Sequence, residues 1–376
     1  MDADEILKRY RALGARIETK GKVELTSKED FALYYTPGVG KVSTYLGEHP
    51  EEARALSVKR NSVAVISDGS AVLGLGNIGP YGALPVMEGK ALIFKQLGGV
   101  DAWPIVLATQ DPDEIVRTVL AIAPSFGGIN LEDIKAPQCF DIERRLIEAL
   151  DIPVMHDDQH GTAIVVLAGL INAARVVGKD ITSLKVVVLG AGAAGTATAL
   201  LLKRYGIDDI VMVDRTGTLS SSRTDLSGMK AELVKATNPR DVSGTLSDAI
   251  MGADVFIGVS GPSLLSPEQV KSMAQDAIVF ALSNPVPEIM PEEAKEAGAK
   301  VVASGRSDFP NQINNALVFP GVFRGALDSG VTRITDAMKM RAAEALASLV
   351  VSPTPEYIIP DILDERIVPT VAATIH

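Results

Sequence analysis

From residue 180 onward the chain alternates short apolar runs with longer stretches of mixed character. The apolar runs stand at 185–189, 210–213, 255–259, 278–282 and 301–303, and the Ala- and Leu-rich stretch 196–205 between the first two reads as a helix. Short runs rich in β-branched residues, spaced by helix-length segments, indicate a parallel sheet buried on both faces. This half is expected to be a doubly wound, Rossmann-type α/β domain. The first half carries apolar runs at 63–66, 91–94 and 104–107, whose order and pairing the pattern does not set, and it is expected to be a smaller α/β domain.

A chain of 376 residues is long for one core and about right for two domains. No internal repeat, low-complexity segment or long linker interrupts it, so the boundary must fall in a turn or at a helix end. The best place is around 156–161, giving domains 1–160 and 161–376. The stretch 332–376 begins as a helical run through Met338 and Leu349 and then turns proline-rich at Pro353, Pro355, Pro360 and Pro369. Such a tail is expected to pack back on the body or on a neighbouring subunit.

Composition narrows the class. With 36 basic against 47 acidic residues the net charge is -11 and no Lys/Arg block stands out, which argues against nucleic acid as a partner. Cys139 is the single cysteine, so no intramolecular disulfide forms and a buried structural thiol is expected. Residues 1–18 mix charges among Ile6, Leu7, Tyr10 and Leu13, the pattern of an amphipathic helix rather than a signal peptide. The longest apolar stretch, 162–177, is broken by Asn172 and Arg175 and is shorter than the roughly 20 residues of a membrane span. It reads as a buried helix, and a cytoplasmic protein with no membrane partner is expected.

Gly190-Ala191-Gly192-Ala193-Ala194-Gly195 matches G-x-G-x-x-G in the right setting. The first glycine makes the tight turn, the second lets backbone approach a pyrophosphate, and the third lets helix pack on strand. The phosphates then meet the unpaired N–H groups of a helix N-terminus. Asp214, placed at the end of the next strand, is suited to a ribose 2′-OH and hence to NAD, while Arg215 beside it is suited to the 2′-phosphate of NADP. A second match, Gly74-Leu75-Gly76-Asn77-Ile78-Gly79, is followed at once by Pro80, Tyr81 and Gly82, which is read as unable to open a helix. Its expected role is a backbone turn near a ligand or a subunit contact.

Two acidic pairs adjoin strand-like sequence, Glu132-Asp133 and Asp157-Asp158. Clustered carboxylates at strand ends repel unless a cation offsets them, and Mg²⁺ or Mn²⁺ would do so; solvated loop or helix-cap acids are the alternative. His156 and His160 have a spacing that on a helix can chelate zinc, but the acids between them favour a loop-shaping role. Lys90 precedes the apolar run 91–94; partial burial and a nearby cation would lower its pKa and make it a base, whereas an isolated lysine is more often at the surface. Tyr34 and Tyr35 enter a Pro/Gly turn, where core packing is the alternative to a phenol acting as proton donor.

Taken in order along the chain, these signals resemble malic enzyme in its short bacterial and archaeal form, over residues 34–325. The resemblance rests on Tyr35-Thr36-Pro37-Gly38-Val39-Gly40, Ser67-Asp68-Gly69, the turn at 74–79, Pro85-Val86-Met87-Glu88-Gly89-Lys90 and Asn130-Leu131-Glu132-Asp133. It continues through His156-Asp157-Asp158-Gln159-His160-Gly161-Thr162, the 190–195 fingerprint, Leu282-Ser283-Asn284-Pro285 and Asn314-Asn315-Ala316-Leu317-Val318-Phe319-Pro320-Gly321.

That resemblance implies an N-terminal malic domain joined to a Rossmann-type NAD(P)-binding domain. It implies Tyr35 as general acid, neutral Lys90 as general base, Asp157 paired with Lys90, and Glu132, Asp133 and Asp158 as ligands of Mg²⁺ or Mn²⁺. Asn284 and Asn315, with Asn314 beside them, would hold the substrate next to the nicotinamide. The implied reaction is oxidative decarboxylation of (S)-malate to pyruvate and CO₂ with NAD or NADP, with oxaloacetate decarboxylation beside it, in a homodimer or larger assembly. One departure stands out: larger eukaryotic relatives carry an arginine for a substrate carboxylate where this chain has Ser70-Ala71-Val72. The metal and Asn284/Asn315 are the available substitutes. The alternatives are a hydroxy-acid or amino-acid dehydrogenase that does not decarboxylate, and a catalytically inert nucleotide sensor.

Overall fold

A computed structural model describes residues 2–376. The chain opens with an arm of helices, α1 (Ala3–Leu13), α2 (Lys28–Tyr34), α3 (Gly38–Glu48) and the one-turn α4 (Ala53–Leu56). α2 begins at Ser27, whose hydroxyl accepts from the Asp30 N–H while the Asp30 carboxylate accepts from the Ser27 N–H, so two free helix donors are satisfied locally. None of the residues in these four helices is buried. The helix expected over 1–18 is therefore present as α1, with Met1 lying outside the described residues.

Beyond the arm come β1 (Ser62–Ser67), α5 (Gly79–Gly98), β2 (Asp101–Val106), α6 (Pro112–Ile122), β3 (Gly128–Leu131), α7 (Gln138–Ala149) and β4 (Val154–His156). The strands form one parallel sheet in the order β2-β1-β3-β4. Two expectations are corrected here. The apolar run 91–94 is not strand-like but lies inside α5, where Ala91 and Phe94 face the core. The glycine turn at 74–79 does open a helix, because Pro80 sits in the first turn, where its missing N–H has no partner to lose.

α8 (Asp157–Val177) follows β4 directly, so the stretch 156–161 is a strand end running into a 21-residue helix. Among the described residues it is the one helix long and apolar enough to cross a membrane, and 67% of its most apolar window is buried inside the protein. It packs on α9 (Ala193–Tyr205), the helix that follows β5 (Val186–Leu189).

The remaining elements are β6 (Ile210–Asp214), β7 (Gly217–Thr218), α10 (Met229–Ala236), α11 (Leu246–Ile250), β8 (Val255–Gly258), α12 (Pro267–Lys271), β9 (Ile278–Ala281), α13 (Pro291–Glu296) and β10 (Val301–Ser304). The second sheet runs β10-β9-β8-β5-β6-β7, parallel except for β7 against β6. The five parallel strands are Val- and Ile-rich and buried on both faces apart from the last residue of β6, Asp214. That double burial is why they read as continuous apolar runs.

The chain ends with α14 (Phe319–Ser329), α15 (Asp336–Ser348) and α16 (Ile367–Ala372). The tail packs back within its own chain: α16 lies on α14 and α15, and α15 lies on α8. α14 returns to the first sheet, where Phe319 packs tilted and Phe323 edge-on against Phe94 of α5, at centroid distances of 4.6 and 5.5 Å.

Candidate active site

Lys90 sits in the middle of α5 and is buried. Its ammonium donates to Oδ2 of Asp157 at 2.5 Å and to Oε1 of Glu132, and lies 4.5 Å from the centre of the Phe319 ring. Burial pulls a lysine pKa down, but the charges of Asp157, Glu132 and Asp158 outweigh it and hold Lys90 well above the usual lysine range. The expected lowering needs a nearby cation as well as burial. The carboxylates that surround Lys90 are three residues of the acidic pairs, brought together from two elements.

Glu132 and Asp133 follow β3, and Asp157 and Asp158 are the first two residues of α8, where the helix dipole favours negative charge. Glu132, Asp133 and Asp158 each offer an oxygen within 4.8 Å of the others, which is the geometry expected of a ligand set. Asp133 adopts the left-handed region, φ 53°, unusual for a residue with a side chain and costly unless its surroundings hold it there. They do: the Asp133 N–H donates to Asp158 Oδ2 at 2.7 Å, its carbonyl accepts from Ala71 N–H at 2.9 Å, and Oδ1 accepts from Leu73 N–H at 3.3 Å. Residues 71–73 thus support Asp133 through their backbone.

Burial, aided by neighbouring carboxylates, pushes Glu132 well above the usual carboxylate range and Asp133 up to about 7, despite the opposing charge of Lys90. Asp133 Oδ2 and Asp157 Oδ1 are buried with no hydrogen-bond partner. Orphaned, crowded carboxylate oxygens with all-oxygen chemistry fit a hard divalent cation. Asp157 Oδ1 lies over Gly161, where any Cβ would collide with it and would also meet Asn315 at 3.1 Å. Asp157, Gly161 and Asn315 are therefore in one contact, while Asn314 uses its side chain to accept from Ala316 N–H at 2.9 Å.

The nucleotide turn lies between β5 and α9. Gly190 has φ 119°, a conformation a larger residue rarely adopts, and a Cβ at Gly195 would collide with the Gly190 carbonyl. At Gly192 the space is open, as backbone approach by a phosphate requires, and Ala193 and Ala194 begin α9. Asn284, on the exposed loop after β9, approaches the first lobe: Gly74 packs so closely on the Asn284 carbonyl that a Cβ there has no room. The second glycine motif is a backbone contact between the two halves.

Asp214 ends β6, where burial raises its pKa but hydrogen bonds from Arg223 (2.7 Å), Lys230 (2.5 Å) and the Thr216 N–H bring it down to about 2. Arg215, the cation singled out from the sequence, is exposed. Arg223 and Lys230 were not legible as site residues, since they lie 9 and 16 positions further on and only the fold brings them back. Glu143 of α7 was also missed; it is buried, and although burial opposes ionisation, His160, His156 and their hydrogen bonds bring it down to about 2. His156 and His160 shape this junction rather than joining the three-carboxylate cluster.

Tyr35 stands apart. It closes α2, 63% exposed, with its ring edge-on to Phe31, and none of its hydrogen bonds among the described residues reaches the Lys90 cluster.

A doubly wound sheet with a dinucleotide turn, set against a buried lysine and clustered carboxylates, defines a nicotinamide-nucleotide-dependent oxidoreductase. Comparison with known proteins names the family. The chain matches the family models "Malic enzyme, N-terminal domain" over 14–111 and 109–147 and "Malic enzyme, NAD binding domain" over 159–375. It is 54% identical over 358 residues to an NAD-dependent malic enzyme of Geobacillus stearothermophilus, covering 95% of this chain and 75% of that one. An NADP-dependent malic enzyme of Halomonas elongata is 47% identical over 382 residues, covering 96% and 90%. The crystal structure of an NAD-dependent malic enzyme from Thermotoga maritima superposes with a TM-score of 0.95 at 48% identity, over 100% of this chain and 99% of that one. The chain belongs to the malic enzyme family.

Proposed function

We propose that this chain oxidises (S)-malate at C2, transfers the hydride to NAD or NADP, and releases the C4 carboxylate as CO₂ to leave pyruvate. The observation that carries the reading is the buried contact of Lys90 with Asp157 and Glu132 beside a three-carboxylate cluster, in a chain of this family. Glu132, Asp133 and Asp158 are the residues that would hold Mg²⁺ or Mn²⁺, which when bound supplies Lewis acidity at the substrate oxygen through oxidation and decarboxylation.

The chain's own residues then have distinct tasks. A cation held by Glu132 would leave Asp157 as the main counter-charge of Lys90 and would ease loss of the lysine proton. In that state Nζ takes the proton from the C2 hydroxyl, held in place by Asp157 and shielded on one side by Phe319. Asn284, Asn314 and Asn315 offer amides for the substrate carboxylates and the nicotinamide edge. Tyr35 donates the proton that C3 needs after CO₂ has left.

For Tyr35 to do so, a second copy is required. No residue in the helices of the arm is buried in its own chain, and the arm exposes Ile6, Leu7, Phe31, Tyr34, Val42 and Tyr45. We propose a homodimer in which this arm packs on the other subunit and the partner's Tyr35 completes each site. We also place the enzyme in the cytoplasm, and residues 1–160 and 161–376 as its malic and nucleotide-binding domains.

Both cofactors remain open to this site: Asp214 suits the ribose hydroxyls of NAD, whereas Arg223 and Lys230 offer charge to the 2′-phosphate of NADP. The experiment is cofactor reduction with (S)-malate, run with NAD and with NADP, with Mn²⁺ and with chelator. Malate-dependent reduction that chelator abolishes is expected; no reduction in any combination rejects the reading.

A further inference from the structure

Glu143 lies on α7, outside the groups that would touch substrate, cation or cofactor, yet its carboxylate is buried against the start of α8. Oε1 accepts from the His156 backbone N–H at 2.7 Å. Oε2 accepts from Gln159 Nε2 at 3.0 Å and meets His160 Nε2 at 3.1 Å. These three donors bracket Asp157 and Asp158 in sequence, so one side chain grips the turn on both sides of the two acids. The contacts continue outward: His160 Nδ1 is 3.0 Å from Lys339 Nζ, Lys339 is 3.0 Å from Asp336 Oδ1, and Asp336 pairs with Arg204 at the end of the nucleotide helix α9. A single imidazole tautomer, with the proton on Nε2, serves both neighbours of His160.

The geometry points to Glu143 as a positioning residue for the divalent cation, an inference that rests on the cation reading above. A helix N-terminus left to fray would let Asp158 turn away from Glu132 and Asp133, and the energy that holds it comes from three charge-assisted bonds to one buried acceptor. His156 is buried beside them, its Nε2 3.4 Å from Asp158 Oδ2 but without a hydrogen bond. Partners of this outer kind cost about 10–100-fold in metal affinity when removed.

The test is Mn²⁺ affinity, read without turnover from the electron paramagnetic resonance signal of free Mn²⁺, with NADH binding in the absence of metal as the control for an intact nucleotide sheet. Glu143→Gln keeps the volume but loses the acceptor facing Gln159 and His160, and it should bind Mn²⁺ about 10–100-fold more weakly with NADH affinity unchanged. Gln159→Met, which removes one of the three grips, should weaken Mn²⁺ less and in the same direction, and it decides the matter if Glu143→Gln does not fold. Asp158→Asn is the reference that should lose the cation. If both grip variants bind Mn²⁺ like the wild type while Asp158→Asn does not, Glu143 holds structure only and the inference is overturned with the cation reading intact. If Asp158→Asn also binds normally, or the wild type takes up no Mn²⁺, the cation reading fails and the inference with it.

Discussion

Lys90 Nζ and Asp157 Oδ2 are 2.5 Å apart, joining the middle of one long helix to the first residue of another, with both side chains buried. In the proposed reaction Lys90 takes the substrate proton while Asp157 holds it in place. Lys90→Met, which keeps the volume of the stem, should lower kcat by about 10²–10⁴ while NADH binding persists. Steady-state turnover beside fluorescence titration of NADH checks it; near-native turnover would remove Lys90 from the chemistry.

The exposed position of Tyr35 leads to a complementation test. Tyr35→Phe and Lys90→Met subunits should each be nearly inactive alone. If each site takes Lys90 from one copy and Tyr35 from the partner, mixed and reassociated subunits should recover about a quarter of wild-type activity, since half of randomly paired dimers are mixed and each has one intact site. No recovery from a population shown to contain mixed dimers would place both groups in one chain.

Cofactor choice should turn on the cations that hold Asp214. Arg223→Ala and Lys230→Ala should each weaken 2′,5′-ADP more than 5′-ADP, by roughly 5–30-fold for a lost charge-assisted bond of about 1–2 kcal/mol. Calorimetric titration of the two fragments measures this directly. Arg215→Ala, at an exposed side chain with no contact to Asp214, should leave both fragments nearly unaffected.

Glu143 predicts a pH dependence with a definite sign. Its folded pKa of about 2 lies below the ordinary value of 4.5, so the stability it contributes is fully present above 4.5 and is lost as pH falls toward about 2. Denaturant unfolding at pH 5 and pH 3 should show a smaller drop for Glu143→Gln than for the wild type. Equal drops would mean that the carboxylate is not held ionised by its neighbours.

Much of the nucleotide half was legible in the sequence because its strands are buried on both faces and its glycine turn is local: β5, the turn and α9 occupy one short stretch. The acidic pairs were legible as pairs, but not their convergence, because Glu132 and Asp157 meet only when β3 and β4 lie side by side. α5 was obscured by Pro80 and Pro85, which helices accept in a first turn and, less often, further in. The company of Lys90 was hidden for the same reason: burial was visible in the apolar run, while the two carboxylates facing the lysine come from distant parts of the chain. Arg223, Lys230 and Glu143 have no motif, and their meaning lies wholly in what the fold sets beside them.

The most direct test of the central claim is the fate of carbon 4. With [4-¹³C]malate, Mn²⁺ and the preferred nicotinamide cofactor, labelled CO₂ should appear in one-to-one proportion with reduced cofactor and with unlabelled pyruvate. Cofactor reduction accompanied by labelled oxaloacetate that accumulates, with no labelled CO₂ released by the enzyme, would contradict it and leave a dehydrogenase that stops at the keto acid.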